Sequence, residues 1–192
     1  VLRQPLEEHV VHITRVSGTV TYPCSFILVC AMNPCKCGYY GHPTKPCTCT
    51  PKARLAYTTK ISGPLLDRID IHVEVPALDY GELSRTEPAE PSAEIRRRVI
   101  GAREYAAERT DGAVTCNGLM TPSDIRRFCR MDESGGKLMQ TAYDKFALSA
   151  RAYDRILKVA RTAADFDKSE IIRKEHIGLA LQLRSMNKKY WQ

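Results

Sequence analysis

The sequence predicts a mixed architecture: a partial α/β layer over residues 1–76, a linker over 77–91 and an all-helical domain over 92–192. Three observations carry this. Phe26-Ile27-Leu28-Val29-Cys30-Ala31 is an unbroken apolar run, the pattern of a strand covered on both faces of a parallel sheet. Val10 to Arg15 alternates apolar and polar positions and the pattern resumes from Val20 to Tyr22, with Ser17-Gly18 between them, which is a hairpin signal. Beyond Pro91, apolar residues recur every three or four positions, the period of helices with one buried face.

Taken in order, Val1 to Glu8 reads as helix from within a domain: it has no charged-then-apolar leader pattern and no initiator Met, so the chain is expected to be a piece of a longer protein. Residues 34–51 are rich in Pro, Gly and Cys and read as loop. A short helix is expected over Pro64 to Arg68, then a strand over Ile69 to Val75. In the helical part, Ser92 is the expected cap of a segment with Ile95, Val99, Ala102 and Ala106 on one face. Thr121-Pro122-Ser123-Asp124 combines a hydroxyl cap, Pro at the first position and an acid in the first turn. Leu138, Ala142 and Phe146 mark a third helix, with Gly135-Gly136 weakening its start. Ser149 opens a fourth, carrying Ile156, Leu157, Ala160 and Ala164, and Glu175 to Arg184 is the fifth.

The composition, 43% hydrophobic and 27% charged over 192 residues, is that of an ordinary globular protein. No apolar run approaches the roughly 20 residues that cross a bilayer, so no membrane partner is expected. A net charge of +7 favours an anionic partner, nucleic acid or nucleotide. Arg96, Arg97, Arg98 and Arg103 share one predicted helix and read as a solvated face.

Of eight cysteines, Cys24, Cys30, Cys116 and Cys129 are scattered; Cys24 and Cys30 flank or occupy the apolar run and read as small buried apolar groups. Cys35, Cys37, Cys47 and Cys49 form two Cys-x-Cys pairs, a metal pattern more than a disulfide framework, and a reducing cytoplasmic location is expected. In extended chain, residues i and i+2 point to one side, so each pair of thiols can converge on one tetrahedral Zn²⁺. Reduced thiols and a disulfide remain alternatives, and His42 is a possible substitute ligand. Lys36, Lys45, Lys52 and Arg54 around the pairs suit a phosphate-contacting loop, and Tyr39 and Tyr40 can either stack on bases or pack over the metal loop.

Three further residues invite a chemical reading. Asn33 ends the apolar run; an amide there can orient a water against a terminal phosphate, although Asn-Pro alone more often makes a turn. Arg68 can stabilise charge developing in phosphoryl transfer, or it can belong to a surface cluster with Asp67 and Asp70. Arg151, if Ser149 is the cap, lies where free backbone N–H groups and the helix dipole already favour an anion. Arg155 and Lys158 follow on the same face and can either extend that site or be solvated, the solvated reading being preferred.

The stretches Ala31-Met32-Asn33-Pro34-Cys35-Lys36-Cys37-Gly38-Tyr39-Tyr40-Gly41 and Ile61-Ser62-Gly63-Pro64-Leu65-Leu66-Asp67-Arg68-Ile69-Asp70, in this order and followed by Leu148 to Thr162, resemble the second half of an AAA+ ATPase core of the magnesium-chelatase-like ComM/YifB family. The resemblance implies sensor 1 at Asn33, an arginine finger at Arg68 with Asp67 at the same subunit interface, and sensor 2 at Arg151, completing a pocket for ATP and Mg²⁺. It implies a partial AAA+ core followed by a helical lid. It also implies a bacterial ATP-driven motor that self-associates into a hexameric ring and acts on DNA, as a branch-migration helicase in natural transformation for the ComM type. The nucleotide-cradling Gly-x-x-x-x-Gly-Lys-Ser/Thr motif does not occur, so the chain alone is expected to be inactive and to bind DNA weakly. Two rivals stand beside this: a magnesium-chelatase ATPase subunit of tetrapyrrole synthesis, which has no use for the four cysteines, and a non-enzymatic zinc-dependent nucleic-acid module.

Overall fold

The computed structural model describes residues 2–78, 80–84 and 89–184. The chain divides into two compact units, one running through Ile69 and the other starting at Asp70.

The first unit opens with helix α1 (Arg3–Glu8) and a hairpin of β1 (Val10–Arg15) and β2 (Gly18–Pro23). The strands pair antiparallel, with Val10 opposite Pro23 and Arg15 opposite Gly18. Val16 and Ser17 therefore form the two-residue turn, and Gly18 leaves it at φ 136°, a backbone region that side chains other than glycine avoid. After an irregular stretch come α2 (Pro51–Thr58) and α3 (Gly63–Leu66). Thr50 caps α2 by accepting from the Ala53 N–H at 3.2 Å, and Pro51 fills the first helical position, where no N–H is needed. The sequence offers no apolar stripe in this helix, which is why periodicity does not reveal it.

Two sequence expectations fail here. Phe26 to Ala31 is not a buried strand: it is unpaired, and Ile27 and Val29 are 90% and 85% exposed. Ile69 to Val75 likewise forms no strand, and Ile71, Val73 and Val75 are exposed. Among the described residues the sheet consists of β1 and β2 alone, so the expected parallel layer is absent. The physical reason is that a doubly covered strand needs neighbouring strands and helices on both faces. Among the described residues neither run has a paired strand beside it; the His72 N–H donates to the Leu183 carbonyl at 2.6 Å.

The second unit is helical: α4 (Tyr80–Leu83), α5 (Ser92–Arg109), a 3₁₀ turn over Asn117–Leu119, α6 (Pro122–Phe128), α7 (Glu133–Phe146), α8 (Ala150–Phe166) and α9 (Lys174–Gln182). Helix α8 is its axis, packing against α5, α6, α9 and the 3₁₀ turn, while α7 packs against α9. Ile156, Leu157, Ala160 and Ala164 of α8 join Met120, Ile125, Cys129, Met139, Ile172, Ile177 and Ala180 in one buried cluster. The starts of these helices are chemically fixed. Thr121 and Asp124 form a reciprocal capping box on α6. Ser149 caps α8 by accepting from Ala152 at 3.2 Å. Asp132 caps α7 by accepting from the Gly135 N–H at 2.6 Å. A Cβ at Gly135 would lie 2.9 Å from that Asp132 oxygen, so the glycine that lowers helix propensity is what lets the cap close. At α5 the cap position is Pro91, and Ser92 is already helical.

No helix among the described residues is long and apolar enough to cross a membrane.

Candidate metal centre and nucleotide-site residues

The four clustered cysteines converge. Cys35, Cys37, Cys47 and Cys49 place their sulfurs within 4.8 Å of one another. Sγ separations of 3.3 Å (Cys35–Cys37), 3.7 Å (Cys35–Cys47) and 3.6 Å (Cys37–Cys47) approach the edge of a tetrahedron with metal–sulfur bonds of ~2.3 Å, about 3.8 Å. They are far longer than a disulfide bond of about 2.05 Å. The chain returns through Gly38 and Gly41, at φ 86° and 84°, with the Gly38 N–H bonded to the Cys35 carbonyl and the His42 N–H to that of Tyr39. The Tyr39 backbone N–H near Cys37 favours the thiolate form of that ligand.

In the metal-free loop the thiols are unequal. The Tyr39 N–H leads the groups that bring Cys37 down to about 5, against desolvation. Cys49 is pushed up to about 11: the Cys37 N–H lowers it, but hydrogen bonding to the Cys37 thiol, desolvation and the Cys35 charge together prevail. His42 is not part of the cluster. Its Nδ1 accepts from the backbone of Thr44 (3.2 Å) and Lys45 (3.1 Å), so it shapes the turn. Arg54 ties α2 to the loop by donating to the Cys49 carbonyl at 2.8 Å. Of the scattered cysteines, Cys129 is buried and held up near 11 by desolvation and Cys116 is exposed; Cys30 is exposed too, contrary to expectation, and Cys24 is half-buried.

Asn33 is exposed directly before this loop, and its amide lies against Gly38, 3.9 Å from where a Cβ would project. Asp67 is exposed at the C-cap of α3. Arg68 is not a freely extended side chain: it is 13% exposed, with Nη1 donating to the Pro64 carbonyl at 2.5 Å and Nη2 to Glu7 of α1 at 2.6 Å. Nothing in the sequence pairs Glu7 with Arg68, which lie 61 residues apart. In the second unit, Arg151 is the second residue of α8, exposed, with no hydrogen bond or ion pair to the described residues. Arg155 and Lys158 depart from the expected solvated face. Arg155 pairs with Asp70 at 2.5 Å, and Lys158 donates to the Gly118 carbonyl at 2.9 Å, with desolvation lowering its pKa. Arg96, Arg97, Arg98 and Arg103 are exposed.

Sequence reasoning misses a buried polar network. Asp165 accepts from Arg109 (3.0 and 3.2 Å), Arg161 (3.0 Å) and Asn117 (2.6 Å). Arg161 and Asp165 are 0% and 1% exposed.

Residues 1–83 match the family described as magnesium chelatase, subunit ChlI, and residues 89–184 match the family of the ChlI C-terminal region. The helical second unit fits the latter. An uncharacterized protein YifB of Escherichia coli K12 is 38% identical over 189 residues, covering 97% of this chain and 36% of that protein. Competence protein ComM of Haemophilus influenzae is 38% identical over 187 residues, 96% of this chain and 36% of that protein. An uncharacterized protein of Mycobacterium tuberculosis H37Rv is 37% identical over 167 residues, 85% of this chain and 32% of that protein. The chain thus spans about a third of the length of the curated relatives it matches.

Proposed function

Since the chain belongs to the magnesium-chelatase-like family of YifB and ComM, we propose that it is part of an AAA+ ATP-driven, ring-forming motor that acts on DNA. The reading is carried by the paired family matches, one over residues 1–83 and one over 89–184. In this proposal residues 1–76 belong to the AAA+ core, 77–91 are a linker and 92–192 form the lid. ATP with Mg²⁺ supplies the phosphoryl group, and the motif that cradles it is not in this chain. Asn33 orients the attacking water. Arg68, with Asp67 beside it, reaches the nucleotide of a neighbouring subunit, and the triphosphate must draw its guanidinium away from Glu7. Arg151 meets anionic oxygen at the start of α8, where the helix dipole and an exposed guanidinium act together. The four thiolates hold one Zn²⁺, which closes a loop with no apolar core of its own. A DNA substrate, branch-migration activity and a cytoplasmic setting draw support from the competence relative and from the basic charge. The magnesium-chelatase descriptions also fit an ATPase subunit of tetrapyrrole synthesis, and a DNA-stimulated ATPase separates the two.

In the intact protein, Arg68→Ala should leave assembly and nucleotide binding nearly unchanged and cut turnover about 10³-fold or more. Mixing it with a variant impaired in the upstream phosphate-binding motif should restore part of the activity, because the finger acts across a boundary. A mixture that stays inactive while both variants assemble would remove Arg68 from that role. ATP hydrolysis by residues 1–192 alone would overturn the whole reading.

A further inference from the structure

Between Glu8 and Asp67 the chain contains no carboxylate side chain. Arg15, Lys36, Lys45, Lys52, Arg54 and Lys60 lie in that stretch, which therefore holds most of the net charge of +7. A divalent ion on four thiolates would carry a formal −2, so the stretch stays cationic even with its metal bound. The charge is also organised. Lys45 Nζ sits 5.3 Å from the centre of the Tyr39 ring, and the Arg54 guanidinium 4.6 Å from that of Tyr40. The two tyrosines, adjacent in sequence on the turn between the cysteine pairs, are 38% and 39% exposed. Helix α2 carries Lys52 and Arg54 in its first turn and no acid there, setting cations on the positive end of the helix dipole. That arrangement is unfavourable for an isolated helix and favourable for one that meets an anion.

We infer that the cysteine loop is a contact site for single-stranded nucleic acid, with Tyr39 and Tyr40 stacking on bases and Lys36, Lys45, Lys52 and Arg54 meeting the phosphates. This deepens the DNA reading above and rests on it. Phosphate contacts alone do not distinguish a single strand from a duplex. Adjacent exposed aromatic rings do, because only unstacked bases offer their faces. Each cation covers one face of its ring, so a base would take the opposite face, with positive charge already beside it for the phosphates.

The test is fluorescence anisotropy of the 192-residue chain with an oligothymidylate of about 20 nucleotides and with a duplex of the same length, at several salt concentrations, with zinc content measured for every variant. Tyr39→Ala with Tyr40→Ala should weaken single-strand binding at least about tenfold and leave weak duplex binding unchanged, while Tyr39→Phe with Tyr40→Phe should bind like the parent. Lys45→Gln with Arg54→Gln should flatten the salt dependence by about 1.4 in log–log slope, two phosphates at about 0.7 each. If the alanine pair loses zinc, Tyr39→Leu with Tyr40→Leu keeps the bulk and should give the same loss. Single-strand binding unchanged by loss of both rings, or a loss equal for single strand and duplex, would overturn this inference and leave the DNA reading intact. Absence of binding to either oligonucleotide would overturn the DNA reading itself.

Discussion

At the residue scale, the cysteine quartet was legible because two closely spaced Cys-x-Cys pairs are a metal pattern in themselves, although Cys35 and Cys37 meet in a turn closed by the Gly38 N–H to Cys35 carbonyl bond and not on one side of an extended chain. The inequality of the thiols was not legible, since it depends on which backbone N–H groups point at which sulfur. The Tyr39 N–H foremost brings Cys37 down to about 5, whereas the neighbouring thiols and desolvation push Cys49 up to about 11. In chelator-stripped protein, therefore, Cys37 should be the first of the four to react with iodoacetamide at pH 7, and its rate should fall only as the pH drops through about 5. Peptide mapping by mass spectrometry across pH 4 to 9 reads this directly. Equal labelling of all four thiols at pH 7 would mean that the backbone hydrogen bonds do not single out Cys37. Glu7 shows the opposite limit: its pairing with Arg68 bridges 61 positions and leaves no local trace in the sequence.

At the element scale, α6 and α8 could be read from their caps and apolar spacing, because a helix is specified by residues three and four positions apart. Strands are specified by their neighbours, so the runs at 26–31 and 69–75 kept their apolar composition but formed no ladder. The interior of α8 also defeats a periodic reading. Arg161 and Asp165 look like a solvated i,i+4 pair, yet they are buried and join α8 to Arg109 of α5 and Asn117 of the 3₁₀ turn. Among the described residues, Asp165 is the one carboxylate to which the guanidinium groups of Arg109 and Arg161 donate. Asp165→Ala would leave those cations buried without it, which should destabilise the second unit by about 3–5 kcal/mol. Urea unfolding followed by far-UV circular dichroism measures it. A loss below about 1 kcal/mol, the range of exposed ion pairs, would show the network to be solvated after all.

At the scale of the whole molecule, the two units are held together by different means. The second has a continuous apolar cluster from Met120 to Ala180, as its helical periodicity foretold. Among the described residues of the first, the buried apolar side chains are Cys35 and Leu66 together with Pro5, and the hairpin is exposed along nearly all of its length. Hydrophobic burial scales with apolar area removed from water, about 25 cal/mol per Å². So small a core contributes little to ordering the loop over 34–50, and at the proposed zinc site four metal–thiolate bonds would supply what it lacks. Zinc removal should therefore act on one unit only. Purified protein should contain about one Zn per chain. After chelation, hydrogen exchange should become fast around Cys35 to Thr58, while the amides of α7, α8 and α9 keep their protection, because their core contains none of the ligands. Adding back one equivalent of Zn²⁺ should restore protection in the loop. If the loop is equally protected with and without metal, the thiols are only neighbours. If protection is lost in α8 as well, the helical core depends on the first unit, contrary to the packing that defines it.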